Sequence, residues 1–285
     1  MHTVQINDDT YLLPACWDDL TPGQLLKIAR LTGTDTPVEQ IKVHMLLHCL
    51  RARVMRHKKI FREQVRIKVG CESQTVRFRV RRRSYLLTPE EVNTLADLFS
   101  FLVSRDEKNK TAYYIDPSGM GTNPFPTLRC RLRKFRGPDD QLLDITFEQF
   151  MYLQTYLDAM RADSSKIDYL LATLWHRGKT FDINRIDSDA ALLRHLPEAK
   201  KIVMYWFILG SLSILAAWYP RVFSGSGKPA PSGRVFDAQL RLLDSLAQSD
   251  MTRKPEVRRG LLLDALYSMD ESIRRREEME ENIAR

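Results

Sequence analysis

Between Lys201 and Pro220 the chain reads IVMYWFILGSLSILAAWY (Ile202–Tyr219), 18 residues without a charge. As a helix this run is about 27 Å long, a little short of the roughly 30 Å hydrocarbon core that a membrane span must cross. Lys200, Lys201 and Arg221 flank it, aromatic residues sit near both ends, and Gly210, Ser211 and Ser213 lower its hydrophobicity. Two folds fit: a membrane span, or the central helix of a bundle. The second is the expectation, because neighbouring segments are amphipathic and need an apolar body to cover. Leu170, Leu171, Leu174 and Trp175 form one such stripe, and Leu240, Leu243 and Leu246 form another.

Helix starts are written plainly. Thr21-Pro22-Gly23-Gln24, Thr36-Pro37-Val38-Glu39 and Thr88-Pro89-Glu90-Glu91 share one pattern, and Thr146-Phe147-Glu148-Gln149 repeats it without proline. Threonine caps, proline fits the first helical position, and Gln or Glu at the third reaches back to the cap. These signals predict helices over Pro22–Leu31, Pro37–His57, Pro89–Val103 and Phe147–Met160. Apolar spacing adds Ile167–His176, Pro197–Tyr219, Val235–Gln248 and Pro255–Ala284. Val4–Leu13 reads as a short strand. Seven prolines and glycines between Pro117 and Pro138 break regular structure there. The expected organisation is an α+β domain over 1–110, a loop-rich connector over 111–144 and a helical domain over 145–285. The fold class is thus mainly α with a small β element, the C-terminal bundle being built around a buried apolar helix.

The net charge of +8 is concentrated. From Arg51 to Arg83 there are 13 Lys or Arg against Glu63 and Glu72, which is +11 locally and leaves −3 for all the rest. Within it, Val65–Val69 and Val76–Val80 alternate apolar and basic residues around a Gly70–Thr75 loop, the pattern of a hairpin. Arg66, Lys68, Arg77, Arg79 and Arg81 then share its outer face. Like charges on paired strands repel. Solvent and salt, an acidic protein surface or a phosphate backbone can offset that; solvent or acidic protein is the expectation, because no aromatic platform interleaves the cations. The run Glu277-Glu278-Met279-Glu280-Glu281 is a candidate cover within the chain itself.

Signals for chemistry are weak. His44 and His48 stand four apart without the glutamate or third ligand of a zinc site. Gly225-Ser226-Gly227-Lys228-Pro229 fails as a phosphate loop, since Val222 replaces the first glycine and Pro229 the Ser or Thr. The expectation is no enzyme, no metal and no cofactor. Cys16, Cys49, Cys71 and Cys130 are too scattered for a CxxC site and read as free thiols. The first residues show no basic stretch followed by an apolar run, so no signal peptide is expected.

Several segments together resemble proteins encoded in the tail modules of Bacteroidetes prophages and tailed phages: LPACWDDLTPGQLLKIARL, NPFPTL, FRGPDDQLLDITFEQF, IDYLLATLWHRG and WYPRVF. Their order and spacing cover most of the chain; the basic hairpin is outside the resemblance. It implies a non-enzymatic, chaperone-like tail assembly or accessory protein without a cofactor. Its partner would be the tape measure or tail tube protein, or a second copy of itself, in the bacterial cytoplasm or on the virion. The alternatives that the residues leave open are a nucleic-acid-binding accessory protein using the basic hairpin, and a membrane-anchored protein using 202–219.

Overall fold

The structure, a computed structural model, describes residues 1–6, 9–34, 36–54, 76–80, 83–106, 112–223 and 235–284. It is mainly α-helical with small antiparallel sheets. It divides into two compact units, Met1–Asp116 and Pro117–Arg285.

In the first unit, the apolar run at the start folds as a hairpin rather than one strand. β1 (His2–Ile6) pairs with β2 (Asp9–Leu13), and alternation turns Ile6 and Leu13 inward. α1 (Pro22–Thr32) opens on the capping box that the sequence predicts: Gln24 N–H donates to Thr21 Oγ1, and Thr21 N–H donates to Gln24 Oε1 at 2.7 Å. The box at Thr36 does not form. Its hydroxyl is engaged with that of Thr34 at 2.7 Å, and α2 (Val38–Cys49) takes Pro37 as its cap. α2 also stops well short of His57. Arg51 adopts a left-handed φ of 53°, which ends the helix and turns the chain into β3 (Ala52–Val54).

β4 (Val76–Val80) lies between β3 and β5 (Arg83–Leu87), antiparallel to both. The neighbours of β4 are therefore these two strands, and its expected partner Val65–Val69 lies outside the described residues. α3 (Pro89–Ala96) starts on a complete Thr88–Glu91 capping box. It is shorter than expected because the chain tightens into a 3-10 stretch, Asp97–Leu102, that buries Phe99 and Leu102 completely. β6 (Val103–Arg105) and β7 (Tyr113–Ile115) then pair. The indole N–H of Trp17 donates to the Asp116 carbonyl at 2.8 Å, tying the start of this unit to its last residue.

The second unit begins with a knot of loops and a hairpin, β8 (Thr127–Cys130) with β9 (Arg133–Arg136). These residues, read from sequence as a connector, pack inside the unit. Asn123 Nδ2 donates to Pro138 O at 2.6 Å, Asn123 N–H to Asp140 Oδ1 at 2.7 Å, and Trp175 Nε1 to Phe125 O at 2.8 Å. The segments NPFPTL, FRGPDD and LWHRG thus meet at one place.

The helices are α4 (Phe147–Ala159), α5 (Ile167–Leu174), α6 (Ile186–Leu193), α7 (Glu198–Trp218), α8 (Pro220–Phe223), α9 (Val235–Leu246), α10 (Lys254–Arg259) and α11 (Leu262–Ala284). α6 is unannounced in the sequence, its start being rich in aspartate. α5 ends before His176: Trp175 leaves the helix to bond Phe125, and His176 exchanges main-chain hydrogen bonds with Arg136 at 3.0 and 3.1 Å. The expected C-terminal helix is two helices, broken at Gly260. There the chain bridges to the start of α4, with Phe147 N–H donating to Gly260 O and Leu262 N–H to Ile145 O, both at 2.9 Å.

α7 carries the uncharged run. By length and composition it could cross a membrane, and half of its apolar window is buried within the protein. Val203, Met204, Phe207, Ile208 and Leu215 are fully enclosed. Gly210 lets the helix touch the loop backbone: a Cβ there would lie 2.3 Å from Met120 O and 2.4 Å from Pro117 O. At the helix start Lys201 is buried as well, its Nζ 2.6 Å from Asp168 Oδ1 on α5.

Candidate interaction site

The opposite side of α7 is only half covered. Ile202, Tyr205, Leu209, Leu212 and Ala216 all have intermediate exposure, and Ser213, Ala217 and Trp218 are exposed. The steps from 202 to 216 alternate between three and four residues. That is the spacing of a coiled-coil seam, in which side chains at a and d make one stripe along the helix. Beside Tyr205 and Leu209 lies a cleft of about 420 Å³, bounded by Leu157, Asp158, Met160 and Arg161 at the end of α4 and by Val235 at the start of α9. Its lining mixes these apolar side chains with Gln154, Asp158 and Arg161. Its rim carries the ion pair between Arg161 Nη1 and Asp158 Oδ1 at 3.5 Å.

α11 offers a second feature. Leu262, Ala265, Leu266 and Met269 are buried, as their spacing predicts, but every residue from Arg274 to Ile283 is exposed. Arg274–Glu278 at 3.0 Å and Arg276–Glu280 at 2.9 Å hold the free turns helical. Arg221 of α8 clamps the helix where it leaves the body, 3.4 Å from Asp270 and 3.2 Å from Glu277. Glu277, Glu278 and Glu280 of the acidic run are thus engaged with arginines of α8 and α11.

Of the cations expected to form a site, Arg66, Lys68 and Arg81 lie outside the described residues. Arg77 and Arg79 are described by their main chain, in β4 opposite Leu86 and Ser84. His44 and His48 are exposed on α2, and among the described residues no three His, Cys, Asp or Glu side chains group as metal ligands. Cys16, Cys49 and Cys130 are free thiols.

The half-covered row on α7 escaped the sequence reading, although its residues sit in the run that reading began from. In a run that is apolar all round, spacing alone marks no face as open. A basic hairpin at Thr127–Arg136 also escaped, hidden among the turn residues on either side of it. No protein-family model matches the chain, and no curated protein or solved structure matches it.

Proposed function

We propose that this chain is a non-enzymatic, chaperone-like protein of a phage or prophage tail module. In this reading it holds a helical segment of another tail protein, such as the tape measure, against α7. The observation that carries the reading is the half-buried row Ile202, Tyr205, Leu209, Leu212 and Ala216, of which Tyr205 and Leu209 open on the cleft beside α4. A row at heptad spacing is the complement of a helix with apolar residues at the same spacing. A client that is long, helical and prone to aggregate before it assembles would present such a face. The resemblance of five segments to tail-module proteins supplies the biological setting, the bacterial cytoplasm, and no cofactor is required for the holding.

The test is a photoreactive residue placed at Leu209 in the full chain, irradiated in cells that express the whole tail module. Crosslinks to an apolar heptad stretch of one tail protein are expected. Crosslinks that reach no tail protein would contradict the reading, and crosslinks to lipid would replace it with a membrane role for α7.

A further inference from the structure

The ten residues Thr127–Arg136 read TLRCRLRKFR, with five cations and no acid. Antiparallel pairing sets Leu128 opposite Phe135, and both are buried. It sets Arg129 opposite Lys134 and Thr127 opposite Arg136 on the other face, and all four are exposed. Like charges directly opposite one another on paired strands destabilise the pair. Among the described residues no carboxylate lies within ion-pair distance of Arg129, Arg131, Arg133 or Lys134, and Arg136 has Asp144 at 4.0 Å.

The tip is unusual in a second way. Arg131 and Leu132 join the strands as a two-residue turn with φ of 45° and 66°. Turns of that hand favour Asn-Gly, because a side chain in the left-handed region costs about 1–2 kcal/mol per residue. Here the positions carry an arginine and a leucine, and Leu132 is fully exposed at 101%. Strain retained at an exposed tip points to the side chains it displays.

The finger is also tied to the body of its unit. Cys130 Sγ donates to Leu192 O at 3.0 Å, and Arg136 is bonded through its main chain to His176 on both sides. Arg136 continues the basic face into a cleft of about 260 Å³ that Lys179 also lines.

We infer that the β8–β9 hairpin binds the phosphate backbone of duplex nucleic acid, with Arg129, Arg131, Arg133, Lys134 and Arg136 on phosphates and Leu132 against the groove. Arg129, Lys134 and Arg136 share one face of the ribbon, Lys134 and Arg136 standing two residues or about 7 Å apart along β9, while Arg131 and Arg133 extend the charge around the tip, which suits a polymer of repeated charge. Four of the five are arginines, whose planar fork matches phosphate oxygens. A protein interface has an apolar centre depleted of charge, the reverse of five cations around one leucine. A single strand would need exposed aromatic rings to stack on, and the hairpin's one aromatic, Phe135, is buried. A two-stranded β-ribbon fits the major groove, where an apolar side chain can contact thymine methyl groups. This inference is independent of how α7 is used.

The experiment measures binding of the full chain to a fluorescent 30-base-pair duplex across a salt series. The chain is compared with the variant Arg129→Gln, Arg131→Gln, Arg133→Gln, Lys134→Gln. Each lost phosphate contact lowers the slope of log K against log salt by about 0.9, so a drop of about 3 to 4 is expected. The +11 segment over 51–83 is intact in both proteins, so the difference reports the hairpin alone. Should the quadruple variant fail to fold, Arg129→Gln and Lys134→Gln singly are each expected to lower the slope by about 1. An unchanged slope in folded variants would overturn the inference. So would hairpin-dependent binding to vesicles of anionic lipid, or to acidic protein, with none to the duplex.

Discussion

Gly137 lies so close against the indole of Trp175 that a Cβ on it would stand 2.3 Å from Nε1. The same indole N–H bonds Phe125 O, and Trp175 is wholly buried. Two segments nearly forty residues apart, around Gly137 and Trp175, are thus one packed joint. Gly137→Ala must push the ring or break its hydrogen bond, and is expected to cost about 3 kcal/mol in urea unfolding. A loss below about 0.5 kcal/mol would mean the joint is loose.

The Lys201–Asp168 pair is enclosed at the start of α7. Removing one partner strands a buried charge, so Lys201→Met is expected to cost about 3–5 kcal/mol. Lys201→Met with Asp168→Leu is expected to recover most of that, since matched apolar partners replace a buried pair at little cost. A double-mutant cycle measures the difference, and additive losses would contradict it.

Burial holds the His176 imidazole below its ordinary value of 6.5, against the partly opposing bond between Nδ1 and Gly178 O at 3.1 Å. The unfolded chain therefore binds a proton that the folded one resists. The contribution to stability is complete above pH about 6.5 and is lost as pH falls through the lowered folded value. Unfolding free energies measured between pH 8 and 5 are expected to fall, and His176→Gln to flatten that fall. An identical pH profile in the variant would contradict it.

Thiol chemistry separates the cysteines. Burial raises Cys49 to about 11, although Gln24 Nε2 donates to its sulfur at 3.1 Å. Cys16 is exposed. Alkylation with iodoacetamide at pH 8, followed by mass spectrometry, is expected to label Cys16 well before Cys49 and the buried Cys130.

Much of the fold was written locally. Three of the four threonine boxes form as spaced, because a cap needs only residues within one turn. What went unread depended on distant partners. α5 stops at Leu174 because Trp175 has a carbonyl fifty residues upstream to bond, and the C-terminal helix breaks at Gly260 because the start of α4 offers it a bridge. The hairpin at 127–136 looked like loop because its flanks are full of proline and glycine. The open face of α7 depends on where α4 ends and α9 begins, which no periodicity within α7 reveals.

The most direct test of the central claim is co-purification of the tagged chain with the tail proteins of the phage or prophage module proposed for it. Leu209→Glu is the comparison, checked by melting temperature to be folded. The wild-type chain is expected to retain the tape measure or tube protein, and the variant to retain at least tenfold less, because a charge in the apolar row costs more than about 1.4 kcal/mol of binding. Equal retention by both proteins, or a wild-type chain that retains no tail protein, would contradict the account.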